Sequence, residues 1–227
     1  MKTLSRISAF LPLAITLIWL QFLPDRVPLH YDFSGRIDRW GSKWENLLLP
    51  GIVLVMGLVF YLVERFGLRA AKADEKRRAH AEANAKVLWI VMLASSFMFS
   101  VLQCALLYGA AKSAAGMLVQ TDLPLNRVTV SCLCLMLIVL GNFMPRSRMN
   151  SAVGFRCGWT MYNDVTWQRS NRFAGYAIML EGLVTGLLCL FLPDTWAVPV
   201  FLLALIPPLV VSLIYARRVY MEEKAKE

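Results

Sequence analysis

GNFMPRSRMNSAVGFRCGWTMYNDVTWQRSNRFAG, residues 141–175, lies between two long apolar runs yet is crowded with Arg, Asn, Trp and Gly. A simple connector between membrane helices needs no such composition. Arg146, Arg148, Arg156, Arg169 and Arg172 are interleaved with Trp159, Tyr162 and Trp167. That mixture suits the headgroup level of a bilayer, where guanidinium binds phosphate and indole straddles the apolar boundary. The remainder of the chain reads as a frame that holds this segment at one face of a membrane.

Composition agrees. Of 227 residues 58% are apolar, and a mean hydropathy of +0.54 lies outside the soluble class. A net charge of +9 raises nucleic acid as a partner, but the positions of the charges decide otherwise. They are gathered between hydrophobic blocks, as in a polytopic helical membrane protein. Cys104, Cys132, Cys134, Cys157 and Cys189 form no CxxC or Cys/His ligand pattern. Free thiols are expected, with no disulfide, no metal site and no cofactor.

Crossing a hydrocarbon core takes about 20 residues, and six runs approach that length: Ile7–Leu23, Leu47–Phe66, Val87–Ala110, Val128–Met144, Phe173–Leu192 and Ala197–Tyr215. The first follows a basic start, Met1–Arg6, but no small-x-small cleavage site precedes Pro24, so it reads as an uncleaved span. Lys and Arg number eighteen in the N-terminal, 65–86, 146–172 and C-terminal segments, against six in the intervening ones. By the positive-inside rule both termini are cytoplasmic. The expected fold is all-α: six transmembrane helices, N-in and C-in. The charge is thus mostly topology, and no direct nucleic-acid contact is expected. Residues 1–86 form an N-terminal half with two spans, an outer loop 24–46 and a basic cytoplasmic hairpin 65–86. Residues 87–227 form a half of four spans with a cytoplasmic loop 145–172.

The Ala-rich hairpin reads either as a solvated extension of two helices with affinity for anionic lipid, or as a docking surface for a soluble partner. His80 within it reads as exposed. Gly175, Gly182 and Gly186 share one face of the fifth span, which fits close packing inside the bundle or a homodimer contact. Pro207 and Pro208 are expected to kink the sixth span. Glu181, near the middle of the fifth, lies about 100° round the helix from the glycine face. An intramembrane carboxylate is costly. It reads as a proton or ion relay, or as a neutral carboxyl bonded to a neighbouring hydroxyl or carbonyl, with no second intramembrane charge to pair with.

Outside the membrane, His30, Tyr31, Asp32 and Asp38 in the stretch Leu23–Lys43 offer metal-ligand types. One histidine with scattered carboxylates is a weak metal pattern, so a folded loop with these groups bonded to amides and arginines is expected. Trp40 and Trp44 read as interface anchors. No GxSxG, HExxH, Walker A or GxGxxG pattern occurs. His30 and His80 fall on opposite faces, and an aspartyl-type intramembrane protease needs two carboxylates at depth, where only Glu181 is expected. No enzyme is expected.

Two stretches together resemble the SdpI-like family of bacterial integral membrane proteins, named for an immunity protein against a secreted toxic peptide. LP-x-x-VP-x-HYD-x-x-G-x-x-D-x-WG-x-K, with His30, Asp32, Gly35, Asp38 and Trp40, is similar to that family's N-terminal domain of unknown function. GN-x-MP with Asn142 and Pro145, followed by Asn150, Gly154, Arg156, Trp159, Thr160, Trp167 and Arg172, is similar to its C-terminal signature. There are departures. Cys157-Gly158 stands where relatives commonly read Thr-Pro, and Ser170-Asn171 where they read Thr-His. The missing histidine argues against acid-base chemistry there.

The resemblance implies a plasma-membrane protein that protects its cell from a membrane-active peptide and holds a regulator at the membrane. The outer loop would then face a secreted toxic peptide, and the inner segment a soluble regulator. Asn163-Asp164 reads as a helix N-cap leading into the fifth span, with Trp167 and Arg172 anchoring it at the interface. The competing reading is a small transporter or lipid-handling protein using Glu181, Arg156 and the Pro-broken sixth helix.

Overall fold

The first apolar run does not fold as one helix. In the computed structural model, which describes residues 1–32, 34–71, 74–117, 123–150 and 153–227, it forms α1 (Lys2–Ser8) and α2 (Leu11–Trp19). Pro12 makes the joint. It has no N–H for the Ser8 carbonyl, and its ring would clash with that carbonyl in a continuous helix. Among the described residues, five helical stretches are long and apolar enough to cross a membrane: Lys43–Ala70, Glu75–Gly116, Leu125–Arg146, Asp164–Cys189 and Asp194–Lys224. The chain is a multi-pass helical membrane protein. The first run, expected as a sixth single helix, is too short in either piece.

The stretch expected as an outer loop corrects the all-α expectation. Strands β1 (Arg26–Tyr31) and β2 (Ile37–Ser42) pair antiparallel, with Val27 opposite Gly41 and His30 opposite Arg39. Pro24 and Pro28 bar a helix here. Asp32 and Gly35 close the turn, Gly35 at φ 78°, a conformation that needs glycine. Val27 is fully buried against Leu20, Leu23, Leu107 and Ala110. The ribbon is therefore seated on the bundle.

After it come α3 (Leu48–Ala70), α4 (Glu75–Lys112), α5 (Leu125–Phe143), α6 (Asp164–Cys189), α7 (Asp194–Ala204) and α8 (Ile206–Lys224). At 1.5 Å per residue α4 is about 57 Å long, several turns more than a hydrocarbon core requires. Asp74 caps it, its carboxylate accepting from the Arg77 N–H at 3.1 Å. The final run breaks at Leu205, between α7 and α8, because Pro207 and Pro208 follow at once. A buried polar knot secures the end nearest the ribbon: Gln103 Nε2 donates to Thr16 Oγ1 at 2.8 Å and to the Asn46 carbonyl at 3.0 Å.

The outside is apolar. Phe97, Leu135, Leu180, Phe191 and Leu203 are each more than 60% exposed, as expected for side chains that face hydrocarbon. Lys2 and Arg6 reach Glu64 near the end of α3, Lys76 at the start of α4 reaches Asp164 at the start of α6, and Arg169 of α6 reaches Glu222 of α8. Both termini therefore share one end of the bundle with the α3–α4 turn and the segment between α5 and α6. The ribbon lies at the other.

Candidate functional site

The segment between α5 and α6 is a folded unit, and α6 positions it. Asn163 caps that helix: its side chain accepts from the Thr166 N–H at 2.8 Å, and the Thr166 hydroxyl accepts from the Asn163 N–H at 3.0 Å. This fixes the start expected from the sequence. The helix is continuous from Asp164 to Cys189, so the cap opens directly into the fifth expected span.

Two buried side chains of α6 then gather the segment. Trp167 has no exposed surface, and its Nε1 donates to the Ser147 carbonyl at 3.0 Å. Asn171, also fully buried, accepts from the Phe155 N–H at 2.7 Å and donates to the Phe155 and Trp167 carbonyls at 3.3 and 3.1 Å. Gly154 lies between them at φ 116°, where a Cβ would come within 2.7 Å of Asn171 Oδ1 and 2.8 Å of the Trp167 ring. Only glycine fits both that backbone and that gap. Trp167, expected as an interface anchor, is thus an internal pillar. Asn171 satisfies a stretch of irregular backbone that would otherwise be buried unpaired.

Other signature residues close local turns. Asn150 accepts from the Val153 N–H at 2.6 Å and donates to the Arg148 carbonyl. The buried Thr160 hydroxyl accepts from the Cys157 N–H at 2.9 Å and donates to the Cys157 carbonyl. The unit docks on α4, where Asn84 Oδ1 accepts from the Arg148 N–H at 2.8 Å. A cleft of about 810 Å³ between α3, α4 and this unit takes in His80, Met149, Asn150 and Val153, so His80 is half-buried rather than exposed. Arg156 and Arg172 remain exposed, and Arg172 lies 6.0 Å from the centre of the Tyr176 ring. Asn142, on α5, is exposed, whereas Pro145 packs toward Gly175.

The ribbon residues are not brought near this unit. His30 Nδ1 and Asp38 Oδ1 are 2.7 Å apart across the strands. Asp32 Oδ1 accepts from the Ser34 hydroxyl, the Ser34 N–H and the Arg36 N–H at 2.7, 2.8 and 2.9 Å. Trp40 is exposed, as is Trp44. Among the described residues no three His, Cys, Asp or Glu side chains converge as a metal would require.

Those hydrogen bonds, the Ser34 hydroxyl first, hold the Asp32 carboxyl below its usual value of 3.8. A depressed folded value means that the carboxylate supports the turn fully above the unfolded value, and that this support is lost as pH falls through the folded one. A carbon-detected titration of Asp32 in micelles is expected to give a midpoint under 3.8. A midpoint at or above it would mean that the turn does not hold in solution.

Glu181 is buried deep in α6, and its carboxylate has only the Thr185 hydroxyl beside it, without a well-aligned hydrogen bond among the described residues. The neighbouring hydroxyl of the expected bond is that of Thr185, one turn on along α6. Glu64 is a second buried carboxylate, where only Glu181 is expected at depth. Glu64, 5% exposed, lies between α1, α3 and α4 and is held by Lys2 and Arg6 at 2.6 and 2.9 Å. Glu64 lies on α3 and Glu181 on α6.

The folded unit and the helix that holds it coincide with a family boundary. Residues 146–216 match the profile of the SdpI/YfhL protein family. This segment is similar to that family. Residues 7–54, from the end of α1 through the ribbon into α3, match a domain of unknown function, DUF1648. The chain is 22% identical to Immunity protein SdpI of Bacillus subtilis (strain 168), over 90% of this chain and 88% of that one. An uncharacterized protein of Archaeoglobus fulgidus is 32% identical over 91 residues, 30% of this chain and 50% of that protein. No solved structure matches the chain. Within the SdpI/YfhL segment, Asn150, Gly154, Thr160, Trp167 and Asn171 act on the chain's own backbone. Arg156 and Arg172 are the signature residues turned outward.

Proposed function

We propose that the chain is a non-enzymatic immunity protein of the bacterial plasma membrane, giving its cell resistance to a membrane-active peptide. The observation that carries this reading is likeness along 90% of the chain to a protein named for immunity. In this reading the jointed α1–α2 pair is the first of six spans, and the eighteen-to-six bias of Lys and Arg puts both termini in the cytoplasm. Residues 1–86 present the ribbon to the peptide. Residues 87–227 present segment 145–172 to a soluble regulator, with Arg156 and Arg172 exposed and Trp159 half-buried.

Survival tests it. Expression in a sensitive strain is expected to protect against at least one membrane-active peptide, with His30→Ala and Arg156→Ala variants matched for membrane abundance. A tenfold or greater loss of protection in His30→Ala assigns peptide contact to the ribbon, because truncation there breaks the cross-strand contact with Asp38. No protection against any peptide tried would sink the reading.

A second reading rests on Glu181, a buried carboxylate with no cation beside it among the described residues and only the Thr185 hydroxyl as a polar neighbour. An intramembrane carboxylate of that kind, on a helix packed against the Pro-broken pair α7 and α8, suits a proton-coupled transporter. Glu181→Gln separates the two readings. It leaves peptide protection unchanged if binding is done at the ribbon and inner segment, and abolishes transport if the carboxyl carries the proton.

A further inference from the structure

Four cations gather round one carboxylate where α1 meets α3. Lys2 and Arg6 hold Glu64, yet their side chains remain 43% and 42% exposed, so each keeps donors free for another acceptor. The Arg6 guanidinium lies 4.8 Å from the centre of the Tyr61 ring and that of Arg65 5.9 Å from the same ring. Arg65 Nη1 also donates to the Tyr61 hydroxyl at 3.2 Å. With Arg69, these groups line a polar pocket of about 330 Å³. Lys2, Arg6, Arg65 and Arg69 against Glu64 leave a surplus of three positive charges.

This pocket does not end at the polar groups. Arg6, Tyr61 and Glu64 also form the head of an apolar slot of about 390 Å³ that runs between α1, α3 and α4 past Ala9, Leu54, Gly57 and Met92. That volume is within the range of roughly 300–1,000 Å³ typical of small-molecule sites. Phe10 and Leu58 line the slot and are 59% and 56% exposed, so it opens sideways, where hydrocarbon would be.

We propose that this compound cleft binds one anionic phospholipid, its phosphate against Arg6, Arg65 and Arg69 and an acyl chain in the slot beside Leu58. The charge surplus selects an anion. The slot selects one with a hydrocarbon tail, since a soluble phosphate would leave it unused. Lys2 and Arg6 belong to α1, a two-turn helix set off from α2 by the Ala9–Phe10 joint, so the lipid fastens α1 to α3. The inference is independent of peptide resistance.

Native mass spectrometry of the full chain tests it, with mixed phosphatidylglycerol and phosphatidylcholine micelles as the lipid source. The wild-type chain is expected to retain one phosphatidylglycerol in the presence of excess phosphatidylcholine. The R65Q/R69Q variant leaves the Glu64 ion pairs intact, so its thermal unfolding should match the wild type while its affinity for phosphatidylglycerol falls by roughly tenfold or more. Leu58→Trp narrows the slot from its exposed side. It should weaken long-chain phosphatidylglycerol without affecting binding of glycerol phosphate, which is itself expected to be weak. Equal retention of the two lipids, full retention by R65Q/R69Q, or glycerol phosphate binding as tightly as the lipid would each overturn the proposal.

Discussion

Trp167→Ala is expected to lower stability by about 3–5 kcal/mol, the usual cost of truncating a large buried aromatic. The indole has no exposed surface, its ring closes against Gly154, and its N–H satisfies the Ser147 carbonyl. Truncation therefore opens a void under the segment between α5 and α6 and leaves that carbonyl unpaired. Trp167→Phe separates the two effects. It keeps much of the volume and loses only the donor, so about 1–3 kcal/mol is expected. Denaturant unfolding in lipid–detergent micelles gives the order wild type, Phe, Ala. Hydrogen exchange locates the damage: amides of 147–160 should exchange faster in the alanine variant, while those of the ribbon and the ribbon end of α4 stay protected. An alanine variant as stable as the wild type would mean that the pillar carries no load.

Much of the helical frame is legible in the sequence, because a hydrocarbon core demands long apolar runs and rejects everything else. The Asn163 cap and the break ahead of Pro207 are equally local, and both stand where the residues put them. What the sequence hides is long-range. Lys2 and Arg6 read as a positive-inside signal, and nothing in the second run shows that Glu64, some 58 residues away, gathers them. Trp167 reads as an interface anchor because an indole beside arginines usually is one. Its burial depends on a positive-φ glycine thirteen residues earlier. The Asn150 and Thr160 turns involve contacts three residues apart, yet a motif names these residues without saying which way their side chains turn. The ribbon was open to reading from Pro24, Pro28 and Gly35, but not the burial of Val27 that seats it.

Gly141→Ala and Gly175→Ala are each expected to cost about 1–3 kcal/mol, and the double variant much less than their sum. These glycines face one another where α5 meets α6, and a Cβ built on Gly175 would lie 2.6 Å from the Gly141 carbonyl oxygen. The reciprocal contact, a Cβ on Gly141 against the Gly175 carbonyl, is tighter still. Backbone cannot rotate away as a side chain can, so either methyl forces the helices apart. Once they have separated, the second methyl finds the space already made. Farther along, a Cβ on Gly182 would come within 2.7 Å of the Cys134 carbonyl, so the glycine face of α6 is occupied by α5 within one chain. Gly182→Ala should therefore add its cost independently, since it strains a different turn of the same seam. Unfolding free energies of the three single and two double variants close the cycle. Additivity of the Gly141 and Gly175 effects would show that the two helices do not share this contact. Moderate destabilisation without any change in the apparent mass of the micelle complex would fit a seam inside the chain, whereas dissociation to a smaller species would place the glycine face between two copies.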